Sequence, residues 1–390
     1  MDIKLKLFEL ALRQKILGKG IKGKSFTPQI VSYAVTRKCN LNCPHCHANA
    51  GKSEPDELSL REATRAIYEM ADLGTEVIIF SGGEPLIRKN FVLKMTEYCN
   101  DLGIIPAILT NGTLLNGKTI EELKDAGILA IGIPLDFATP QRHDNFRGEF
   151  GTFNKAVRAI KACLNAGLMV IVTTMVLSDN FEEIPRLIDL LANIGVDQIV
   201  LYDFIQTGRG KNLGNITIDQ HQHGRLLDLI YNVQAEKEIF FLVSGGDPLH
   251  PGLVLEMHRR DEIKPPDKPL RQFLIQSSVG CHAALHYFSF RPNGDVYPCP
   301  FLQISAGNFR KQSLSEIWYN SKLFNSLRNR GLLKGRCGKC RYKDGCGGCR
   351  ARAYTLTGDY LGEDPNCPME LFAEKGVDPA AIECLSLCVG

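Results

Sequence analysis

Cys39, Cys43 and Cys46 fall within eight residues of one another, with His45 and His47 interleaved. Three thiolates on one tight loop are metal ligands by type, and three is an informative number. A closed structural site takes four protein donors, whereas three leave one position open for a reactant. Spacing alone leaves two readings open: a zinc site completed by His45 or His47, or an iron–sulfur cluster. A second set follows much later: Cys281, Cys299, then Cys337-x2-Cys340-x5-Cys346-x2-Cys349, and Cys367. Two Cys-x2-Cys knuckles in a zinc ribbon stand roughly 12–20 residues apart, so five is too short. Seven thiols also exceed what one tetrahedral ion takes.

The chain's totals agree with metal chemistry inside an ordinary globular protein. Its 390 residues predict two or three domains, and 44% apolar with 23% charged residues provides for a sizeable core. The net charge of +3 gives no argument for nucleic acid. No apolar run is long enough to span a membrane, and the charges in Met1-Asp2-Ile3-Lys4 oppose a secretory signal. The 14 cysteines are split, five up to Cys163 and nine from Cys281 onward, which in a cytosolic chain reads as metal or redox sites rather than a disulfide scaffold. Cys99 and Cys163 lie in helical patterns and read as buried apolar residues.

The elements that must position these loops alternate. Strands are expected at 29–35, 76–80, 105–109, 129–134, 168–174 and 198–203. Helices are expected between them at 59–73, 91–102, 120–126, 153–166 and 184–194. Such alternation predicts an α/β fold of parallel βα units, an open partial barrel or a doubly wound sheet, with ligands at the C-terminal ends of the strands. Residues 1–28 read as a short helix and a glycine–lysine linker, and 29–214 as the βα unit. Residues 215–275 read as a bridge, with a helix at 220–233, the loop Ser244–Pro248 and the stretch Lys264–Pro269. Residues 276–390 read as a metal-organised domain.

Taken in order, the motifs resemble those of the radical S-adenosylmethionine (SAM) enzymes. Cys39-x3-Cys43-x2-Cys46 is similar to the cluster motif. Ser81-Gly82-Gly83-Glu84-Pro85 follows the second strand, Thr110-Asn111-Gly112 the third and Leu135-Asp136 the fourth. The resemblance covers about 29–210 and implies a partial (β/α)6 TIM-like barrel. It also implies a [4Fe–4S] cluster on the three cysteines, whose open iron chelates SAM, and reductive cleavage to a 5′-deoxyadenosyl radical. Gly82, Gly83, Glu84, Asn111, Asp136 and His45 are then the expected cofactor contacts: the glycines admit the methionyl group, Glu84 anchors its segment or receives the ammonium, and His45 packs on adenine. Two positions depart from the family: His45 stands where an aromatic residue is common, and Pro134 where a serine is common.

The later cysteines resemble the SPASM extension, which implies two auxiliary [4Fe–4S] clusters. Cys281, Cys299 and Cys349 would hold the first, with an open iron or a fourth ligand from His282, His286, Cys384 or Cys388. Cys337, Cys340, Cys346 and Cys367 would hold the second. The run Cys346–Tyr354 with Thr357-Gly358-Asp359-Tyr360 is most similar to the branch that makes heme b and heme d1, and Phe146-Arg147-Gly148 and Thr207-Gly208-Arg209-Gly210 fit that branch as well. This implies oxidative decarboxylation of tetrapyrrole propionates, iron-coproporphyrin III to heme b, with Arg147 and Arg209 as candidate propionate contacts. Each arginine also has the reading of a structural salt bridge. The alternatives are a SPASM peptide maturase, maturation of a metalloenzyme cofactor, and a non-catalytic iron–sulfur or zinc scaffold. By the same resemblance the electron donor is a ferredoxin or flavodoxin, and the compartment an anaerobic cytoplasm.

Overall fold

The computed structural model describes residues 26–214, 216–236, 239–243, 280–340, 343–344 and 346–367. The segment before residue 26, Ser244–Pro248, Lys264–Pro269, Cys384 and Cys388 lie outside the described residues.

Six βα units run as expected. β1 (Ile30–Thr36), β2 (Val77–Gly82), β3 (Ile105–Leu109), β4 (Ala130–Pro134), β5 (Met169–Val176) and β6 (Gln198–Asp203) are neighbours in chain order and all parallel. The crossover helices are α1 (Leu60–Asp72), α2 (Lys89–Asp101), α3 (Gly117–Asp125), α4 (Pro140–Arg147), α5 (Thr152–Asn165) and α6 (Ile184–Ile194). α4 was not expected, because its sequence, rich in polar residues, gives no apolar stripe to read. α1 shows why the others form. Ser59 and Glu62 close a capping box at its start, and Ala63, Ala66, Ile67 and Met70 recur at helical spacing and are all buried.

The sheet extends beyond six strands on both edges. After α7 (Gln220–Glu236), β7 (Phe240–Val243) pairs parallel with β6. From the C-terminal segment, β8 (Tyr287–Phe290) pairs parallel with β1, Tyr33 opposite Phe290, followed by antiparallel β9 (Asp295–Tyr297) and β10 (Gly307–Asn308). The sheet is therefore open, from β7 at one edge to β10 at the other. The segment carrying the later cysteines is built onto the strand that leads into the first cysteine loop.

Packing ties the two regions further. α8 (Leu314–Asn320) and α9 (Lys322–Arg328) bury Trp318 and Phe324, and Trp318 donates its indole N–H to the Phe26 carbonyl at 3.1 Å. Its ring meets Phe288 of β8 at 5.9 Å. Removing a side chain of this size from a core costs about 3–5 kcal/mol. Arg310 clamps Glu62 of α1 through Nε at 2.6 Å and Nη2 at 3.2 Å. Among the described residues, the remaining helices are α10 (Gly335–Lys339) and α11 (Arg350–Thr357).

Candidate functional site

The first cysteine loop leaves the C-terminal end of β1, where a register shift between Ala34 and Thr36 re-aims the chain. Backbone bonds fold it back on itself: Cys39 N–H to the Gly51 carbonyl at 2.9 Å and Cys46 N–H to Cys43 at 3.2 Å. The end of β2 is zipped onto the same loop by Gly83 N–H to Thr36 and Glu84 N–H to Lys38, at 2.8 and 2.9 Å. This contact explains the two glycines. A Cβ at Gly82 would stand 2.3 Å from the Thr36 carbonyl oxygen, and one at Gly83 2.2 Å from that of Lys38. Expected as room for a ligand, the glycines are needed first for the approach of two protein backbones.

Glu84 is fully buried and works as an anchor. Its carboxylate accepts from Leu86 N–H at 3.0 Å, the Thr110 hydroxyl at 2.7 Å and Asn111 N–H at 2.8 Å, tying the ends of β2 and β3 together. Burial raises its pKa despite these donors. Asn111 donates to Asn40 Oδ1 at 3.0 Å beside the Cys39 sulfur. Asp136 is also buried, and its oxygens accept from Arg147 Nε at 2.9 Å, Arg147 Nη2 at 2.5 Å and Met175 N–H at 2.9 Å. Burial opposes its ionisation, but Arg147 and the Met175 amide hold the carboxyl below the ordinary range. His45 stacks on the Phe146 ring, centroids 3.9 Å apart and planes at 1°. Burial and Arg147 lower its pKa to about 3, so the ring is neutral.

Both candidate propionate arginines turn to the cysteine loop instead. Arg147 pairs with Asp136 and lies within electrostatic reach of the Cys43 thiol. Arg209 donates Nε to the Cys43 carbonyl at 2.9 Å and Nη1 to the Ala50 carbonyl, and its backbone N–H bonds to Cys46 at 3.0 Å. Gly208 lets this segment cross the loop, since a Cβ there would lie 2.3 Å from the His47 carbonyl oxygen. Both arginines therefore brace the loop, Arg147 through Asp136 and Arg209 through the Cys43 and Ala50 carbonyls.

The donor set suits an iron–sulfur cluster. Cys39, Cys43 and Cys46 are free thiols, and backbone N–H groups of Leu41 and Ala50 approach Cys39 and Cys46 sulfurs at 3.4 and 3.5 Å. Burial pushes the Cys39 thiol up to about 11, and raises that of Cys43 against the pull of Arg147. Such thiols become ligands only when a cation replaces their protons. Among the described residues no three His, Cys, Asp or Glu side chains converge closely enough for one ion.

The later cysteines fall into two groups. Cys281 lies within electrostatic range of Cys299 and Cys349, and Cys346 within range of Cys337 and Cys367. Burial pushes the Cys299 and Cys346 thiols up to about 12. Cys340 closes α10 at its C-terminal end. The His286 ring lies within electrostatic reach of Arg328 and meets that of His282 at 6.3 Å. Cys99 and Cys163 are buried in α2 and α5, their thiols pushed up to about 12 by burial.

A buried charge network joins the two regions and was not anticipated from the sequence. Asp203, the last residue of β6, accepts from His223 Nε2 at 2.9 Å and pairs with Arg352 at 2.8 Å. Arg352 also reaches Asp364 at 3.6 Å, and Asp364 accepts from Cys349 N–H at 2.7 Å. Burial works against the Asp203 carboxylate, but His223 and Arg352 hold its pKa low. Arg350 is wholly buried and points Nη2 at the Cys337 sulfur, 3.5 Å away. The one available signal was the position of Asp203 at the C-terminal end of a strand.

With this geometry in hand, the class follows: a three-thiol loop at the carboxyl end of β1 in a parallel sheet, and a second thiol-rich region built onto the same sheet through β8. Family models match for the Radical SAM superfamily over residues 33–191 and for SPASM, an iron–sulfur cluster-binding domain, over residues 281–349. The chain is 34% identical to AdoMet-dependent heme synthase of Methanosarcina barkeri, over 87% of this chain and 96% of that one. It is 32% identical to Fe-coproporphyrin III synthase of the same organism, over 87% of both. Its fold matches that of Streptococcus suis SuiB bound to S-adenosylmethionine, with a TM-score of 0.68 at 19% identity over 94% of this chain and 83% of that one. The chain belongs to the radical SAM superfamily. It is an enzyme whose cofactors are SAM and a [4Fe–4S] cluster, with further iron–sulfur binding in its SPASM domain, and its chemistry requires a reductant. No helix among the described residues is long and apolar enough to cross a membrane.

Proposed function

We propose that this enzyme converts propionate side chains of a tetrapyrrole to vinyl groups, iron-coproporphyrin III to heme b. The observation that carries the reading is likeness to a heme synthase along 96% of that protein's length, through both cysteine regions. Cys39, Cys43 and Cys46 hold the SAM-binding cluster. Cys281, Cys299 and Cys349 serve one auxiliary cluster, and Cys337, Cys340, Cys346 and Cys367 the other. Bound cluster and SAM supply a radical that takes hydrogen from a substrate carbon. Each conversion then removes one hydrogen atom, one CO2 and one electron, and a cluster held by the later cysteines would supply an acceptor for that electron. The chain's own residues fix geometry: Glu84 ties the β2 and β3 ends, and Arg147, Asp136 and Arg209 hold the cysteine loop against displacement. A ferredoxin or flavodoxin of the cytoplasm supplies the electron that starts the reaction.

The test is 5′-deoxyadenosine yield from anaerobically reconstituted protein with SAM and reductant, with and without iron-coproporphyrin III. Stimulation, with porphyrin mass falling stepwise by one CO2 and two hydrogens, supports the reading. SAM cleavage that the porphyrin leaves unchanged, with no change in its mass, refutes it.

A further inference from the structure

Arg291 stands at a position that the functions above leave unused. It follows β8 directly, and the pairing of Phe290 with Tyr33 sets it level with the end of β1, where that strand runs into the cysteine loop. This is the ligand-binding edge of a parallel sheet. Its guanidinium lies 4.8 Å over the Tyr297 ring, and no carboxylate among the described residues pairs with it. Glu54 and the Cys299 thiol lie within its electrostatic reach, but Glu54 is taken by Arg37 at 3.4 Å and Cys299 is assigned to a cluster. A half-buried arginine without an anion is uncommon, because the desolvation of its charge has no local compensation.

His47 lies within the electrostatic reach of Arg291. Both of its ring nitrogens are buried without a hydrogen-bond partner. The ring is held edge-on to Phe301 at 4.8 Å, and the His47 carbonyl accepts from Gln303 Nε2 at 2.6 Å, so the residue is fixed between the two cysteine regions. Tyr287 of β8 lies within electrostatic reach of both Arg291 and Tyr202 of β6. A guanidinium with no paired carboxylate, two unsatisfied imidazole nitrogens and the nearby phenols of Tyr287 and Tyr297 form the recognition chemistry of a carboxylate.

We infer that Arg291, with His47 beside it, is a carboxylate-binding subsite that takes one propionate of the tetrapyrrole substrate. The inference rests on the heme-forming function proposed above, and it replaces Arg147 and Arg209 in that role.

The experiment titrates iron-coproporphyrin III and its tetramethyl ester into reconstituted wild-type, Arg291→Gln, Arg291→Lys and His47→Asn protein, following porphyrin absorbance, with SAM affinity measured alongside. Iron content and circular dichroism confirm that each variant is folded and loaded. Loss of a charge-assisted carboxylate contact weakens free-acid binding by about ten- to a hundredfold in Arg291→Gln. The wild type's preference for acid over ester shrinks by a similar factor in that variant, since the lost contact is the one esterification removes. Arg291→Lys recovers part of the affinity, and His47→Asn weakens it by a smaller factor. Tight porphyrin binding by wild type with no change in Arg291→Gln overturns the subsite and leaves the heme-forming function standing. Weakened SAM binding with unchanged porphyrin binding also overturns it, assigning Arg291 to the carboxylate of SAM. No porphyrin binding by wild type refutes both.

Discussion

Substituting Gly83 by alanine tests whether the cysteine loop is positioned by the approach of two backbones. The added Cβ would lie 2.2 Å from the Lys38 carbonyl oxygen, 2.6 Å from its carbon and 2.7 Å from the Arg37 oxygen. Ordinary contacts of this kind begin beyond 3 Å, so the strands must part by about 1 Å. No flexible side chain can yield, because every atom met is backbone of the segment leading into Cys39. The same displacement breaks the bond from Glu84 N–H to Lys38. Overpacking costs about 1–3 kcal/mol, which a core of this size survives. A misplacement of about 1 Å at a reacting centre costs roughly a hundredfold in rate. We therefore expect folded Gly83→Ala protein that keeps its auxiliary iron and loses about a hundredfold in 5′-deoxyadenosine formation. Gly117→Ala is the control: nothing lies within 4 Å of its Cβ, at the start of α3, and neither stability nor rate should fall. Wild-type SAM cleavage by Gly83→Ala would refute the positioning argument.

Two other perturbations have defined outcomes. Arg310 and the Ser59 cap lower the Glu62 pKa from 4.5 to about 2. A depressed carboxyl pKa contributes stability that is complete above 4.5 and is lost as pH falls towards 2. Thermal midpoints of wild type and Glu62→Gln should thus differ at pH 6 by the equivalent of about 1 kcal/mol or less, and converge as pH approaches the lower value; a constant gap would contradict the linkage. Arg352→Met leaves the buried carboxylates of Asp203 and Asp364 without their shared cation, costing about 3–5 kcal/mol in denaturant unfolding. Because Asp364 holds the Cys349 amide, iron should be lost preferentially from the auxiliary sites; unchanged stability and iron content would show the network to be idle.

The sequence was most legible where local pattern and tertiary fold agree. Six β-rich runs and five helical stripes coincide with β1–β6 and their crossovers, because each buries one face against a single parallel sheet. α4 escaped because its residues hold the cysteine loop through Arg147 and Phe146 rather than through an apolar stripe. β8 escaped because Tyr-Phe-Ser-Phe, four residues in a segment dominated by cysteine and glycine, becomes a strand only by pairing with β1, more than 250 residues away. Cysteine spacing offered candidate ligands, since ligand number is a local property of a loop. It could not show what Arg147, Arg209 and Asp136 do. A charged residue at a strand end looks the same in sequence whether it meets a substrate or another side chain, and only the structure supplies the partner.

The pairing of β8 with β1 also bears on how the two cysteine regions work together. Strands in direct register cannot slide or swing apart without breaking their ladder, and here one strand leads into the first loop while its neighbour leads towards Cys299. The Gln303–His47 bond and the Asp203–Arg352 pair add contacts between the regions at two further points. Electron transfer between a substrate radical and an auxiliary cluster depends steeply on distance. A shared sheet fixes that distance by backbone hydrogen bonds, where a tethered domain would leave it to a linker. The cation at the end of β8 therefore faces the loop of the first cluster at a separation set by the sheet itself. That places a substrate carboxylate at Arg291 in constant relation to both ends of the reaction.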